Sequence, residues 1–431
     1  MEIKYWNKEL ETAEREKIEA HQLSGLQHLL GKMLDSNAFY KKKLGEAGIK
    51  GASEIQKIED IAHLPFTLKK ELVADQAENP LFGTNLTYPL ERYVKFHQTS
   101  GTTGRPYRCL DTEEDWQWWT RCWSYILTGV GVGPGDRLYF AFSFGPFVGF
   151  WGGFEGARAV GAMTIPGGGL GSIPRLQSLM DNEANTLVCT PSYALRLAEE
   201  AREAGIDVSK TSITRLVHAG EPGASIPATK KRIEDTWGAK CFDHHGMTEV
   251  GAMSFECVLQ TGGIHLIEAE YVFEVLDPVT HKPADEGELV VTNLGRIGMP
   301  VIRYRTGDRV KLNRERCECG RTFARLQGGM MGRVDDMLIV RGINVFPTAI
   351  ENIVREFSAV EEFSVEVYRK REMDEMEVKI EVVGAEPAAV ASALASEMQK
   401  RLAFRPTVTV VPASTLPRFE LKSKRFFDKR K

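Results

Sequence analysis

Five apolar residues, Leu26, Leu29, Leu30, Met33 and Leu34, repeat at three- and four-residue spacing, so the run from about residue 9 to 34 reads as a helix with one buried face. A second helix starts at Thr112-Glu-Glu-Asp115, where a threonine and a carboxylate three residues on form a reciprocal cap. It carries Trp116, Trp119, Trp123 and Ile126 on one face. Aromatic residues at helical spacing predict core packing rather than a cofactor contact.

Further on, short apolar runs alternate with helical periodicity. Strands are expected at 92–98, 136–142, 186–190 and 214–218, and helices at 192–204 and 224–237. This order predicts an α/β fold, with a mostly parallel sheet covered by helices and ligands beyond the carboxyl ends of strands. Residues 99–104 and 219–222 both follow expected strands and could share one crevice. The pattern becomes β-rich at 288–294 and 301–304. Beyond it lies a small α+β region: strands at 337–341, 363–368, 376–383 and 407–411, with helices from Pro347 and over 388–402. The chain thus reads as a large domain at 1–334, with mixed, mostly parallel sheets and a β-rich region, and a small domain at 335–431.

The chain has 431 residues, a net charge of −4 and 26% charged residues, a balance that offers nucleic acid no general attraction. The basic run at Lys429-Arg430-Lys431 reads as a solvated tail. The opening Met1-Glu-Ile-Lys-Tyr-Trp-Asn lacks the apolar centre of a secretion signal. Glycines and Pro146 interrupt the apolar stretch 138–154, and no run approaches the roughly 20 residues of a membrane helix. Seven cysteines, an odd number without a secretion signal, point to reduced thiols in a cytoplasmic protein.

The most informative segment is Thr99-Ser100-Gly101-Thr102-Thr103-Gly104. Its glycines let backbone N–H groups approach an anion, and its hydroxyls add donors. A polar surface turn would have the same composition. No Gly-Lys-Ser/Thr follows, so it is not a Walker A loop. The run Pro166-Gly-Gly-Gly-Leu-Gly171 lacks dinucleotide-loop spacing and reads as a flexible loop. Cys257, His265, Cys317 and Cys319 offer four ligands suited to a structural zinc, with Gly320 placed as in a metal-binding knuckle. Two free thiols in a turn beside a structural Cys257 and His265 remain the alternative.

Residues 99–104 resemble the phosphate loop of the adenylate-forming superfamily, and four further motifs follow in that superfamily's order. These are Asp243-His-His-Gly-Met-Thr-Glu249, Tyr304-Arg-Thr-Gly-Asp308, Gly332-Arg-Val-Asp-Asp336 and Leu416-Pro-Arg-Phe-Glu-Leu-Lys422. Tyr5-Trp-Asn, Leu64-Pro-Phe-Thr-Leu-Lys69 and Asn344-Val-Phe-Pro347 make the chain similar, over nearly its whole length, to the phenylacetate–CoA ligase family. The resemblance implies an ATP-dependent aryl- or arylacetate–CoA ligase that forms an acyl-adenylate and then a thioester. A nucleotidyl transferase resembling coenzyme F390 synthetase, which moves AMP onto a cofactor, is the alternative.

By that resemblance Glu249 holds Mg²⁺, Thr248 lies near the phosphates, and Lys422 reaches the carboxylate and α-phosphate. Gly220, Glu221, Pro222, Asp243, His244, His245, Asp308 and Arg333 would bind the nucleotide. Asp308 would take the ribose hydroxyls. Asp335 would be the hinge of a mobile C-terminal domain, and Gly342 and Asn344 would face the active site when CoA reacts. Phe142, Phe147, Trp151, Ala219 and Gly246 would line the acyl pocket, with Phe144 and Phe150 adding to its aromatic walls. His245 stands where the family has an adenine-stacking tyrosine, and Leu421 where it has a glycine. The implied partners are a small aromatic acid, ATP and CoA, with no nucleic acid or membrane; a homodimer is left open.

Overall fold

The computed structural model describes residues 1–99, 106–260, 262–333, 338–340, 343–370, 373–402, 404–419 and 423–430, without the side chains of Ile339 and Asn344. The chain divides into two compact units. The first comprises Met1–Gly169, Ala184–Val188 and Phe242–Gly329; the second comprises Leu170–Glu183, Cys189–Cys241 and Met330–Lys431.

In the first unit the leading helix is Arg15–Ser36, preceded by a short turn of helix at Lys8–Glu11. The expected single helix from residue 9 is therefore broken near Thr12. Leu26, Leu29, Leu30 and Met33 are buried as the spacing predicts and pack with Val272, Leu294 and Ile302. Strands Tyr93–Gln98 and Arg108–Thr112 form an antiparallel hairpin, with Gln98 opposite Arg108. The second of these strands was missed, because its Arg-Cys-Leu-Asp-Thr sequence is too short to show alternation. The strand that precedes residues 99–104 is thus one arm of an antiparallel hairpin and not part of the parallel sheet.

The helix Glu113–Gly129 starts as its cap predicts. Thr112 Oγ1 accepts from the Asp115 N–H at 3.2 Å, and Asp115 Oδ2 accepts from the Thr112 N–H at 3.0 Å. Its tryptophan stripe is buried. Strand Arg137–Phe140 lies parallel to both Met163–Pro166 and Thr186–Cys189. Six further strands pair antiparallel in the order 254–255, 263–266, 325–327, 304–313, 286–293 and 271–276. The strand expected at 301–304 begins instead at Tyr304, after Arg303 adopts φ 44°. Gly167, in the run read as a flexible loop, donates its N–H to Phe140 O at 2.9 Å and packs against Tyr139.

In the second unit, Pro191–Glu203 and Pro227–Trp237 are helices, and Arg215–His218 is a strand. The C-terminal part is a four-stranded sheet in the order 407–411, 373–382, 360–370 and 426–428. Its two long central strands are antiparallel, and both outer strands run parallel to their neighbours. Helices Pro347–Arg355 and Pro387–Leu402 contribute Ile350, Ile353, Val354, Leu394 and Met398 to a core with Val365, Val378 and Ile380. The fold is α/β, as the alternation predicts, with a small α+β region at its C-terminal end.

Gly152, Gly153 and Gly156 present a bare face of the helix Val148–Ala159 to Trp123. A Cβ on Gly156 would meet Trp123 Cβ at 2.4 Å and its carbonyl carbon at 3.2 Å. Alanine should gain about 0.5–1 kcal/mol in helix propensity. Overpacking against a buried indole should cost about 1–3 kcal/mol and outweigh that gain. Gly156→Ala is therefore expected to lower the urea midpoint; a raised midpoint would show that the two helices have room.

Candidate active site

Two carboxylates organise the first unit's polar centre. Asp308 sits in a bulge: Glu288 faces Arg309 and Val290 faces Arg305, so extra residues crowd into the strand Tyr304–Asn313. Gly307 has φ 77°, which a side chain would strain. Thr306 Oγ1 donates to Leu289 O at 2.8 Å and accepts from the Asp308 N–H at 3.0 Å. Bulges of this kind redirect a side chain out of the strand's alternation. Here the Asp308 carboxylate comes to 3.1 Å from His245 Nε2.

Glu249 is buried and accepts from the Tyr304 hydroxyl at 2.8 Å. The Lys69 ammonium lies 3.0 Å away. Burial alone would raise the Glu249 carboxyl, but Lys69 and Tyr304 hold it below its ordinary value. Lys69 reaches this point because Thr67 is stitched to the strand beginning at Tyr304. Thr67 N–H donates to Arg303 O, and Arg305 N–H donates to Thr67 O, each at 3.0 Å.

The backbone before Glu249 is held from behind. Arg296 Nη1 donates to Thr248 O at 2.9 Å and to Glu249 O at 3.1 Å. Its Nε donates to Asp111 Oδ1 at 2.7 Å. Arg296 and Asp111 are both almost wholly inaccessible. Burial would raise the Asp111 carboxyl, but Arg296 and the nearby His97 hold it below its ordinary value.

Thr99 closes the base of the hairpin: its N–H donates to Tyr107 O at 2.9 Å, and its Oγ1 accepts from the Tyr107 N–H at 3.0 Å. Ser100, Gly101, Thr102, Thr103 and Gly104 lie outside the described residues, as do Asp335, Gly342 and Lys422. Asn344 is placed only as a strand position opposite Ile339. His244 is buried against Trp123, ring centroids 4.5 Å apart, and its Nδ1 bonds Ser254 O. Burial pushes its pKa down to about 4, so its imidazole stays neutral near pH 7. Asp243 is buried, with its N–H on Glu256 Oε2 at 3.1 Å. A Cβ on Gly246 would meet Gly251 O at 2.8 Å, so a side chain has no room there.

Of the aromatic residues, Phe142 stacks on Phe150 at 4.0 Å, and Phe144 packs against Phe142 at 4.8 Å and Trp151 at 4.6 Å. Trp151 Nε1 donates to Gly145 O, and Phe147 is exposed. Ala219, Gly220, Glu221 and Pro222 belong to the second unit, as does Arg333. There Glu221 accepts from the N–H groups of Ser192 and Ser423 at 2.8 and 2.6 Å.

Cys257, His265, Cys317 and Cys319 converge with all ligand atoms within 4.8 Å of one another, and all four are buried. Ligands around a tetrahedral zinc lie about 3.8 Å apart for two sulfurs and about 3.6 Å for sulfur and nitrogen. The observed Cys257 Sγ–Cys317 Sγ and Cys319 Sγ–His265 Nε2 separations are 3.9 and 3.6 Å. His265 Nδ1 bonds Phe323 O, which turns Nε2 toward the sulfurs. Gly320, at φ 89°, donates its N–H to Cys317 O and folds the Cys-x-Cys turn. These residues fit a four-coordinate metal.

Residues 342–430 match the family described as AMP-binding enzyme C-terminal domain. The chain is 36% identical over 380 residues to a phenylacetate-coenzyme A ligase of Thermus thermophilus, covering 87% of this chain and 83% of that protein. It is 30% identical over 434 residues to the phenylacetate-coenzyme A ligase of Pseudomonas putida, covering 98% and 96%. The chain belongs to the phenylacetate–CoA ligase family of adenylate-forming enzymes. A crystal structure of 2-hydroxyisobutyryl-CoA ligase in the postadenylation state, in complex with R3-HIB-AMP, matches it with a TM-score of 0.93. The two are 30% identical, and the match covers 99% of this chain and 92% of that one. This family member is an ATP-dependent, AMP-forming carboxylate–CoA ligase, and the reading as a ligase stands over AMP transfer to a cofactor.

Sequence reasoning overlooked four residues of the ligase's polar centre: Lys69, Asp111, Arg296 and Tyr304. Lys69 ended one quoted motif and Tyr304 began another, neither with a role of its own. Asp111 and Arg296 are 185 positions apart, and nothing local marks either as half of a pair. Removing one partner of a buried pair leaves an uncompensated charge. Arg296→Met should therefore destabilise the ligase by about 3–5 kcal/mol in urea unfolding. Adding Asp111→Leu should restore part of the loss. A single variant as stable as the parent would show that the pair carries no structural load.

Proposed function

We propose that this ligase activates a flat, apolar aromatic carboxylic acid. The supporting observation is the cluster of Phe142, Phe144, Phe150 and Trp151 on the loop and helix after the strand Arg137–Phe140. A ring inserted among these side chains gains burial and edge or face contacts without needing polar partners. The acid's carboxylate attacks the α-phosphate of ATP, forming a mixed anhydride and releasing pyrophosphate. The thiol of CoA then attacks the acyl carbonyl, and AMP leaves with the electron pair of the broken acyl–oxygen bond.

Within this reading Asp308 accepts from the ribose hydroxyls, and His245 lies against the adenine. The hydroxyl and N–H groups of Thr99, Ser100, Gly101, Thr102, Thr103 and Gly104 receive the phosphates. Glu249 is the residue that would hold Mg²⁺, with Thr248 beside it; the ion supplies charge neutralisation at the phosphates. Lys422 orients carboxylate and α-phosphate for adenylation. A C-terminal domain at 335–431, hinged at Asp335, then brings Gly342 and Asn344 to the site for thioester formation. Arg333 and the 220–222 turn complete the nucleotide contacts. We place the enzyme in the cytoplasm; among the described residues no helix is long and apolar enough to cross a membrane.

One measurement tests this reading. CoA-thioester formation with Mg-ATP should show a higher kcat/KM for phenylacetate, benzoate-type or indole-type acids than for acetate, palmitate or a small branched hydroxy acid. A preference for any of the last three would overturn the substrate assignment.

The Cys/His cluster is proposed as a structural zinc site, since four protein ligands would leave a tetrahedral ion no open position for water. Purified, untagged ligase should contain about one zinc per chain. Cys317→Ser with Cys319→Ser should lower zinc content and Tm together. Metal-free protein of unchanged Tm would overturn the site.

A further inference from the structure

The second unit holds a chain of polar contacts that, Glu221 apart, the reaction described above does not use. The segment after Lys422 begins with Ser423, whose N–H donates to Glu221 Oε2 at 2.6 Å. The other oxygen of Glu221 accepts from the Ser192 N–H at 2.8 Å, in the first turn of the helix Pro191–Glu203. Ser192 Oγ in turn accepts from both Nη atoms of Arg425 at 3.1 Å. Arg425 is buried and paired with Glu362 at 2.6 Å, and its carbonyl accepts from the Val365 N–H at 2.7 Å. On the other side of Lys422, Arg418 bridges Glu199 of the same helix at 2.9 Å and Glu381 of the C-terminal sheet at 2.8 Å.

We infer that Glu199, Ser192 and Glu221 are positioning residues, which clamp the two flanks of the Lys422 segment onto the helix Pro191–Glu203 and so prepare the lysine for adenylation. The inference rests on the assignment of Lys422 given above. A free lysine side chain carries up to roughly 2 kcal/mol of rotamer entropy, and its backbone more, so a mobile carrier would meet the reacting atoms rarely. Holding the Arg418 side chain and the backbone at 423 and 425 removes much of that search. The contacts suit the task. Glu221 makes two charge-assisted bonds to backbone N–H groups, which position main chain rather than any one side chain. Ser192 and Glu199 lie on one helix, capped by Thr190 Oγ1 accepting from the Tyr193 N–H at 3.2 Å. The Arg418–Glu199 pair keeps part of its surface in water, so it can be made and released within a catalytic cycle.

The test separates the two half-reactions in the full-length ligase. Adenylation is followed by pyrophosphate release in the absence of CoA, and thioester formation from pre-made acyl-adenylate and CoA. Ser192→Ala removes the Arg425 acceptor while keeping the N–H that Glu221 uses, and Glu199→Gln removes the charge facing Arg418. Combined, they should slow adenylation about tenfold, the order of one charged hydrogen bond lost. Thioester formation should change by no more than about twofold. Ser192→Thr, which keeps a hydroxyl, should recover most of the rate. Each single variant, with its Tm, guards against a folding defect in the double. Unchanged adenylation, or equal loss in both half-reactions at unchanged Tm, overturns the clamp. Lys422→Ala measured alongside keeps the two claims apart. If it alone loses adenylation, the clamp falls and the lysine assignment stands. If it spares adenylation, the lysine assignment falls and the clamp falls with it.

Discussion

One buried guanidinium holds the polar centre together. Arg296 gives two hydrogen bonds to the carbonyls of Thr248 and Glu249 and an ion pair to Asp111, with water almost wholly excluded. A charge that deep is tolerated only when paired and hydrogen-bonded. Arg296 therefore forces three separate stretches of chain into register: the strand Arg108–Thr112, the turn bearing Glu249 and the segment after the strand Glu286–Asn293. The Glu249 carboxylate is fixed before any ligand arrives. Reorganisation that a mobile site would require on binding is already complete here.

Around this anchor the other functional groups are placed by irregularities in regular structure. A bulge and one glycine at positive φ redirect Asp308 from its strand. A single parallel bridge between Thr67 and Tyr304 delivers Lys69 to Glu249. Lys69 neutralises a buried carboxylate that also accepts from the Tyr304 hydroxyl.

Much of this was readable in the chain. The apolar spacing of Leu26 to Met33, the Thr112 cap and the tryptophan stripe each rest on neighbours within one or two helical turns, where local pattern and final structure answer to the same packing. The convergence of Cys257, His265, Cys317 and Cys319 was legible because few roles other than metal binding ask for these residue types together. The strand Arg108–Thr112, the start of the strand at Tyr304 and the Asp111–Arg296 pair were not. Strand pairing and buried ion pairs depend on partners far along the chain, and a five-residue strand buried on both faces carries no alternation to read. His244 shows the same limit. The resemblance gave it a nucleotide contact, and the structure adds that its ring packs on Trp123, a packing partner 121 positions away that the motif does not reveal.

The central proposal is that Asp308, turned out of its strand by a bulge, and Glu249, whose backbone Arg296 holds, contribute to the nucleotide site of this ligase. Equilibrium binding of a non-hydrolysable acyl-adenylate analogue to the parent and to Asp308→Asn tests it most directly. A neutral amide keeps the shape of the side chain but loses its charge and one of its two acceptors for the ribose hydroxyls. The account predicts a dissociation constant raised by about tenfold or more, at unchanged Tm. Equal affinity for the two proteins would contradict it.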